Sequence, residues 1–290
     1  MHNDIEVLAK LWKRQPGPAA GEQPARRRWS RAELVSAIAS RQFVPFFQPK
    51  VDLKTARLTG VEVLTRWRHP EQGMLLPSEF LEQLEGQGLI EQLTDCVMAQ
   101  ALSCVSGCKV HGRDISLALN ISPTTLQAAH AAEHLAELVA ASGMCAAQLT
   151  IELTETVACE TSAAVHESLI RLRELGFQIS IDDFGTGYSS MKLLSTMPFT
   201  ELKIDRSLVS GAVHDPKAAL VLESIIQLAG KLRLRTVAEG IETREDIVLL
   251  RALGCEVGQG YFLGLPMSHL HFLRSLEAGR TPIATGQAAD

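Results

Sequence analysis

Asp182 and Asp183 stand side by side in ISIDDFGTGYSS, residues 179–190, with no Lys or Arg among the next eight residues. Two carboxylates that close repel each other unless a cation lies between or beside them. Other side chains able to share such a cation recur at the ends of apolar runs: Glu62, Asn120, Glu152, Lys203 with Asp205, Glu239 and Gln259. Acids in runs that should be buried are costly unless something neutralises them. Glu62, Asn120, Glu152 and Asp182 are hard oxygen donors, which suit Mg²⁺ or Mn²⁺ better than a soft metal. A bridging Asp182 beside Asp183 would hold two ions about 3.5–4 Å apart, the spacing used for phosphoester hydrolysis. One ion would generate hydroxide, and both would stabilise transition-state charge. Lys203 would stabilise the nucleophile or the developing charge. Arg66, four residues beyond Glu62, would clamp a phosphate oxygen.

These residues need a scaffold that delivers one from each of many strands. Strand-like runs lie at 44–51, 58–67, 115–121, 148–154, 178–184, 200–205, 234–240 and 256–262. Helical patterns fill Pro77–Cys108, Thr124–Ser142, Ala163–Leu175, Pro216–Leu232 and Arg244–Leu253. Eight strands alternating with helices predict an α/β fold, a modified TIM (β/α)₈ barrel. From Val51 to Leu58 there is room only for a turn. A parallel crossover needs a dozen residues or more, so the first strand must run antiparallel to the second. In this fold chemistry gathers at the C-terminal ends of the strands, where the acids, Lys203, Asn120 and Gln259 fall.

The 290-residue chain is 46% hydrophobic and 21% charged, enough for one large core. Residues 1–29 read as a short helix and linker, 30–279 as the barrel, and 280–290 as a disordered tail. A net charge of −5 argues against a broad grip on DNA. The six cysteines form no C-x-x-C pair, and no secretory signal or membrane-length apolar run is present. A cytoplasmic protein with reduced thiols is expected.

Several local patterns suggest other chemistry and are outweighed. DFG at 183–185 lacks the rest of a kinase's motifs. His130-Ala-Ala-Glu-His134 matches an inverted zinc-peptidase pattern, but a solvated helix face explains it as well. Tyr261 and Phe262 fit either a base pocket or the core. Glu152 and Glu155 could also be solvated strand ends.

Taken in order, FFQP, EVLTRW, LNIS, IELTET, IDDFGTGYSS, LKIDRSLV, VAEGIET and GQGYFLGLPM resemble the EAL-domain cyclic-di-GMP phosphodiesterases from about Phe43 to Phe272. The resemblance implies that barrel with its antiparallel first strand, and metal-dependent hydrolysis of cyclic di-GMP to linear pGpG. It implies a first-metal set of Glu62, Asn120, Glu152 and Asp182, and a second-metal and water-activating set of Asp182, Asp183 and Glu239. Lys203 would contact the attacking water or a metal, and Gln259 would orient that water. Glu155 would anchor the DFGTG loop, which in the family lies at a dimer interface. Gln48, Leu64, Arg66 and Asp205 would touch substrate. Val63 departs from the family's Ala, with little loss expected. A homodimer partner and an unidentified regulatory protein would be the macromolecular partners. The competing expectation is a catalytically silent cyclic-di-GMP receptor or interaction module on the same barrel.

Overall fold

Apolar and polar residues alternate along three of the strands, yet both sets are buried. Leu149, Ile151 and Leu153 alternate with Thr150 and Glu152, Ile179 and Ile181 with Ser180 and Asp182, and Leu202 and Ile204 with Glu201 and Lys203. Successive strand residues face opposite sides. The apolar set therefore packs outward against helices, while the polar set lines the inside of a closed barrel. The computed structural model describes residues 27–110, 113–155, 158, 162–186 and 191–277. Most of the expected N-terminal helix and linker, and the expected tail, lie outside the described residues.

The barrel strands are β1 (Phe43–Asp52), β2 (Leu58–His69), β3 (Ser116–Asn120), β4 (Leu149–Thr154), β5 (Gln178–Phe184), β6 (Glu201–Ile204), β7 (Arg235–Ala238) and β8 (Val257–Gly258). Neighbours from β2 through β8 pair in parallel. β1 closes the ring antiparallel to both its neighbours, with Gln48 opposite Glu62 and Val51 opposite Gly258. The fold is the modified TIM barrel expected, with its reversed strand. Connecting helices include α1 (Arg31–Ala39), α2 (Ile90–Val105), α3 (Ala131–Ala141), α4 (Ala163–Glu174), α5 (Pro216–Lys231), α6 (Arg244–Leu253) and α7 (His269–Glu277). Their starts follow from capping chemistry. Ser30 and Glu33 form a capping box on α1, Thr243 and Asp246 one on α6, and Asp215 caps α5. No helix among the described residues is long and apolar enough to cross a membrane.

Three elements differ from the sequence expectation. The helix expected over Pro77–Cys108 is broken into Pro77–Glu79, Leu81–Gly86 and α2, with Gly88 at φ 66 between the last two. The one expected over Thr124–Ser142 splits into Pro123–Gln127 and α3, where His130 takes φ 63. The last strand is only Val257–Gly258, because the chain then crosses tightly over Ile241. A Cβ on Gly260 would come within 2.2 Å of the Ile241 nitrogen.

Trp29, at the end of the stretch expected as linker, is buried with its ring centroid 4.4 Å from that of Trp67 and 4.9 Å from that of His69. Its backbone N–H donates to Gln83 Oε1 at 2.7 Å, and its carbonyl accepts from Gln87 Nε2 at 3.1 Å. The chain is thus latched to β2 before α1 begins. Trp29→Ala should destabilise the protein by about 3 kcal/mol, read as a lowered midpoint of urea unfolding. An unchanged midpoint would show that the latch carries no stability.

Candidate active site

In a regular strand Asp182 and Asp183 would point to opposite faces. β5 avoids this with a bulge. Ile181 opposes Leu202 and Phe184 opposes Ile204, so one extra residue is inserted on the β5 side. Asp183 takes φ 55, in the left-handed region that non-glycine residues seldom adopt, and its N–H donates to Asp182 Oδ1 at 2.9 Å. Oxygen atoms of Asp182, Asp183 and Glu239 thereby come within 4.8 Å of one another. Oxygens of Glu62, Glu152 and Asp182 form a second group within the same limit. Asp182 belongs to both.

Lys203, fully buried, sits among these acids. Its Nζ lies 3.3 Å from Glu62, 3.0 Å from Glu152, 3.0 Å from Asp182 and 2.9 Å from Glu239. Burial alone would lower the lysine pKa, but Glu152, Glu62, Glu239 and Asp182 together raise it well above its ordinary value. Lys203 is therefore a fixed cation. It does not suffice for the acids. Burial pushes Glu152 up to about 8 and Glu239 up to about 7, even against the pull of Lys203. Burial and the neighbouring Asp182 also raise Asp183. Glu62 behaves oppositely: burial acts to raise its pKa, but Lys203 and the hydrogen bond from Gln259 bring it below the ordinary value.

The remaining expected residues surround this centre. Asn120 Nδ2 donates to Glu62 Oε1 at 3.1 Å and Glu152 Oε2 at 3.3 Å. Gln259 Nε2 donates to Glu62 Oε2 at 2.6 Å and Gln48 Oε1 at 3.0 Å, while its own Oε1 is buried without a partner. Gln48 is held in turn by donating to the Gly264 carbonyl at 3.3 Å. Glu155 Oε2 accepts the Gly185 N–H at 3.0 Å, tying the turn after Asp183 to β4; residues 187–190 of that turn lie outside the described residues. Arg66 is buried, stacked 5.9 Å over Phe46 with Nη1 donating to the Thr65 carbonyl at 2.9 Å. Asp205 Oδ1 accepts the Ser207 N–H at 2.8 Å, and its charge contributes to raising Asp183. Leu64 lines a mainly apolar cavity of about 340 Å³ with Ile90, Leu93 and Val97, and Asn120 and Glu152 are among its walls. Val63 is buried in the core on β2.

Two residues escaped the sequence reading. Lys50 Nζ lies 3.2 Å from Glu152 Oε1 and 2.8 Å from Glu201 Oε1, all three buried. The signal was present in the alternation. Lys50 is two residues from Gln48 and Glu201 two from Lys203, so each pair shares a face. His134, half of the zinc-like pattern, instead pairs with Asp95 of α2 at 2.9 Å.

Fold and site define an α/β barrel that gathers carboxylates around a lysine at the C-terminal ends of its strands. The chain belongs to the EAL domain family, whose model matches residues 31–266. It is 39% identical over 235 residues to the cyclic di-GMP phosphodiesterase PA2567 of Pseudomonas aeruginosa, covering 81% of this chain and 40% of that protein. It is 36% identical over 242 residues to the cyclic di-GMP phosphodiesterase RocR of the same organism, covering 83% of this chain and 62% of that protein. The chain thus spans less than two thirds of either relative. The solved PaMucR phosphodiesterase in complex with c-di-GMP superposes with a TM-score of 0.76 at 35% identity, covering 83% of this chain and 98% of that one.

The raised carboxylates make the metal-free protein sensitive to pH. An unfolded Glu loses its proton near its ordinary 4.5, whereas folded Glu239 and Glu152 hold theirs to about 7 and about 8. Between those values the folded state binds more protons, so stability falls as pH rises. In chelator, the thermal midpoint should drop from pH 5 to pH 8. A flat or rising profile in differential scanning fluorimetry would contradict this reading of the site.

Proposed function

We propose that this chain is a metal-dependent cyclic-di-GMP phosphodiesterase that opens one phosphodiester bond to give linear pGpG. The observation that carries the reading is the convergence of two carboxylate groups on Asp182. Six buried or partly buried acids (Glu62, Glu152, Asp182, Asp183, Glu201 and Glu239) meet two ammonium groups, Lys203 and Lys50, among the described residues. Fully ionised, they leave four uncompensated negative charges, the charge of two divalent cations. All the acidic donors are hard oxygens, which fits Mg²⁺ or Mn²⁺.

Glu62, Asn120, Glu152 and Asp182 would hold one ion, and Asp182, Asp183 and Glu239 the other; Asn120 would turn its amide oxygen inward. When bound, the ions supply Lewis-acid activation of water and positive charge for the phosphoryl oxygens. Gln259 has an unpartnered buried Oε1 that would accept a hydrogen bond from the attacking water and fix its direction. Glu239 would take the proton that the attacking water gives up. Lys203 places a permanent charge beside the forming phosphorus–oxygen bond. As water adds to phosphorus, the bond to the 3′ oxygen breaks and that oxygen leaves with a proton. The product carries a 5′ phosphate and a free 3′ hydroxyl. Arg66, Asp205 and Gln48 would contact the dinucleotide, and Leu64 with the adjoining apolar cavity suits a planar base.

Silent members of such a family usually lose ligands or the lysine, and this chain keeps the whole set, which favours the hydrolase. A homodimer through the turn after Asp183 and the helix Met191–Thr196, where Met191 is 63% exposed, would follow from the family resemblance. A cytoplasmic location, where the dinucleotide is found, completes the proposal. A separate regulatory protein would act on this barrel from outside.

Purified protein incubated with cyclic di-GMP and Mg²⁺ or Mn²⁺ should release pGpG, followed by chromatography. Unchanged substrate after long incubation at high enzyme concentration defeats the proposal. Glu239→Gln should lower kcat by roughly 10²–10⁴-fold, and Glu62→Ala or Asp182→Asn should remove measurable turnover. A variant of any of the three with wild-type kcat would show that its carboxylate has no part in the chemistry.

A further inference from the structure

Beneath the acids, charges of alternating sign run down the barrel axis. Arg235 Nη1, 40% exposed at the start of β7, lies 3.9 Å from Glu201 Oε2. Glu201 Oε1 is 2.8 Å from Lys50 Nζ, which is 3.2 Å from Glu152 Oε1. Glu152 Oε2 is 3.0 Å from Lys203 Nζ and accepts from Asn120 Nδ2 at 3.3 Å. The two oxygens of Glu152 therefore have separate duties. Oε1 points down to Lys50, and Oε2 points up to the catalytic groups.

Reversal of β1 makes this possible. Continuing from Gln48 toward Lys50 leads away from the catalytic end, whereas on β4 the chain runs toward it. Lys50 thus reaches Glu152 from below, where a group serving only catalysis has no reason to be. Glu201 satisfies Lys50 from the far side, so the ammonium is held between two carboxylates and cannot swing toward the upper acids.

We propose that Lys50, fixed by Glu201, is a positioning residue that clamps Glu152 through Oε1, so that this carboxylate offers only Oε2 to the divalent cation. The inference rests on the metal-dependent reading above. It concerns how the first cation is held, and it assigns Lys50 no contact with substrate.

Removing Lys50 alone would leave buried Glu201 with only the partly exposed Arg235 at 3.9 Å, which is destabilising, whereas removing both partners of a buried pair is often tolerated. The test therefore uses the double variant Lys50→Met/Glu201→Gln. It deletes one positive and one negative charge together, leaving the net charge felt by the cation unchanged and isolating the lost clamp. Isothermal titration of the chelator-treated protein with Mn²⁺ alone gives the readout. The dissociation constant of the double variant should rise roughly 10–100-fold, as when partners that orient metal ligands are lost. Glu201→Gln, which keeps Lys50, should stay within about threefold of wild type on the same scale of effects. If the double variant does not fold, Lys50→Gln/Glu201→Gln takes its place: both charges still go together and one N–H donor can still reach Glu152, so a several-fold weakening is expected. Wild-type Mn²⁺ affinity in a folded variant that lacks Lys50 overturns the clamp. Absence of Mn²⁺ binding by the wild-type protein would instead overturn the metal-dependent reading, so the two failures are distinct.

Discussion

Four buried or largely buried carboxylates within 3.3 Å of the Lys203 ammonium are the constraint around which this barrel is built. Taking charges from water costs several kcal/mol per ion even after relaxation. One lysine cannot repay that for all the acids, and the upward shifts of Glu152 and Glu239 are the residue of the shortfall. The fold tolerates it because the stabilising apolar burial lies elsewhere. Leu149, Ile151, Ile179, Ile181, Leu202 and Ile204 bury their side chains on the other face of the same strands. Period-two alternation lets one strand serve a core and a charged centre at once.

Two departures from regular geometry turn this charged interior into a site. The bulge in β5 places consecutive acids in one pocket at the expense of a left-handed Asp183. Such a backbone persists only where its surroundings hold it, and the Glu155 carboxylate on the Gly185 N–H together with the Thr186 hydroxyl on the Asp183 carbonyl does so. The other departure is the reversed β1. It brings Gln48 level with Glu62 and Gln259, and sends Lys50 below them.

Much of this was legible in the chain. Eight strands, the antiparallel start, and one polar group per strand end followed from run lengths and from the turn-length gap after Val51. Asp182 and Asp183 were conspicuous because adjacency of like charges has no cheap structural explanation. The bulge itself was not legible, since a strand period cannot tell which residue will be squeezed out of register. Lys50 and Glu201 were less legible because they lie at the opposite end of the barrel from the acids, Lys50 near the close of the reversed β1 and Glu201 at the start of β6, where a charged residue reads as solvated until closure buries it. The helix breaks at Gly88 and His130 depend on packing against the barrel, which overrides a continuous helical pattern. Trp29 read as linker because its neighbours are Arg and Ser, although its own ring needed a partner that only the folded β2 provides.

The same charge deficit links stability to function. Without cations, the barrel holds protons on Glu152 up to about 8 and on Glu239 up to about 7, and those protons occupy oxygen atoms that a metal would use. Ligand acids must be deprotonated to bind, so metal entry and proton release are one equilibrium. The site is thus prepared by its own instability: the groups that weaken the metal-free fold as pH rises are the groups that bind a divalent ion more tightly over the same range. A fully compensated interior, with a second lysine near Glu239, would be a steadier protein. It would have no electrostatic reason to take up a metal, and its acids would be held by lysine and closed to any other partner.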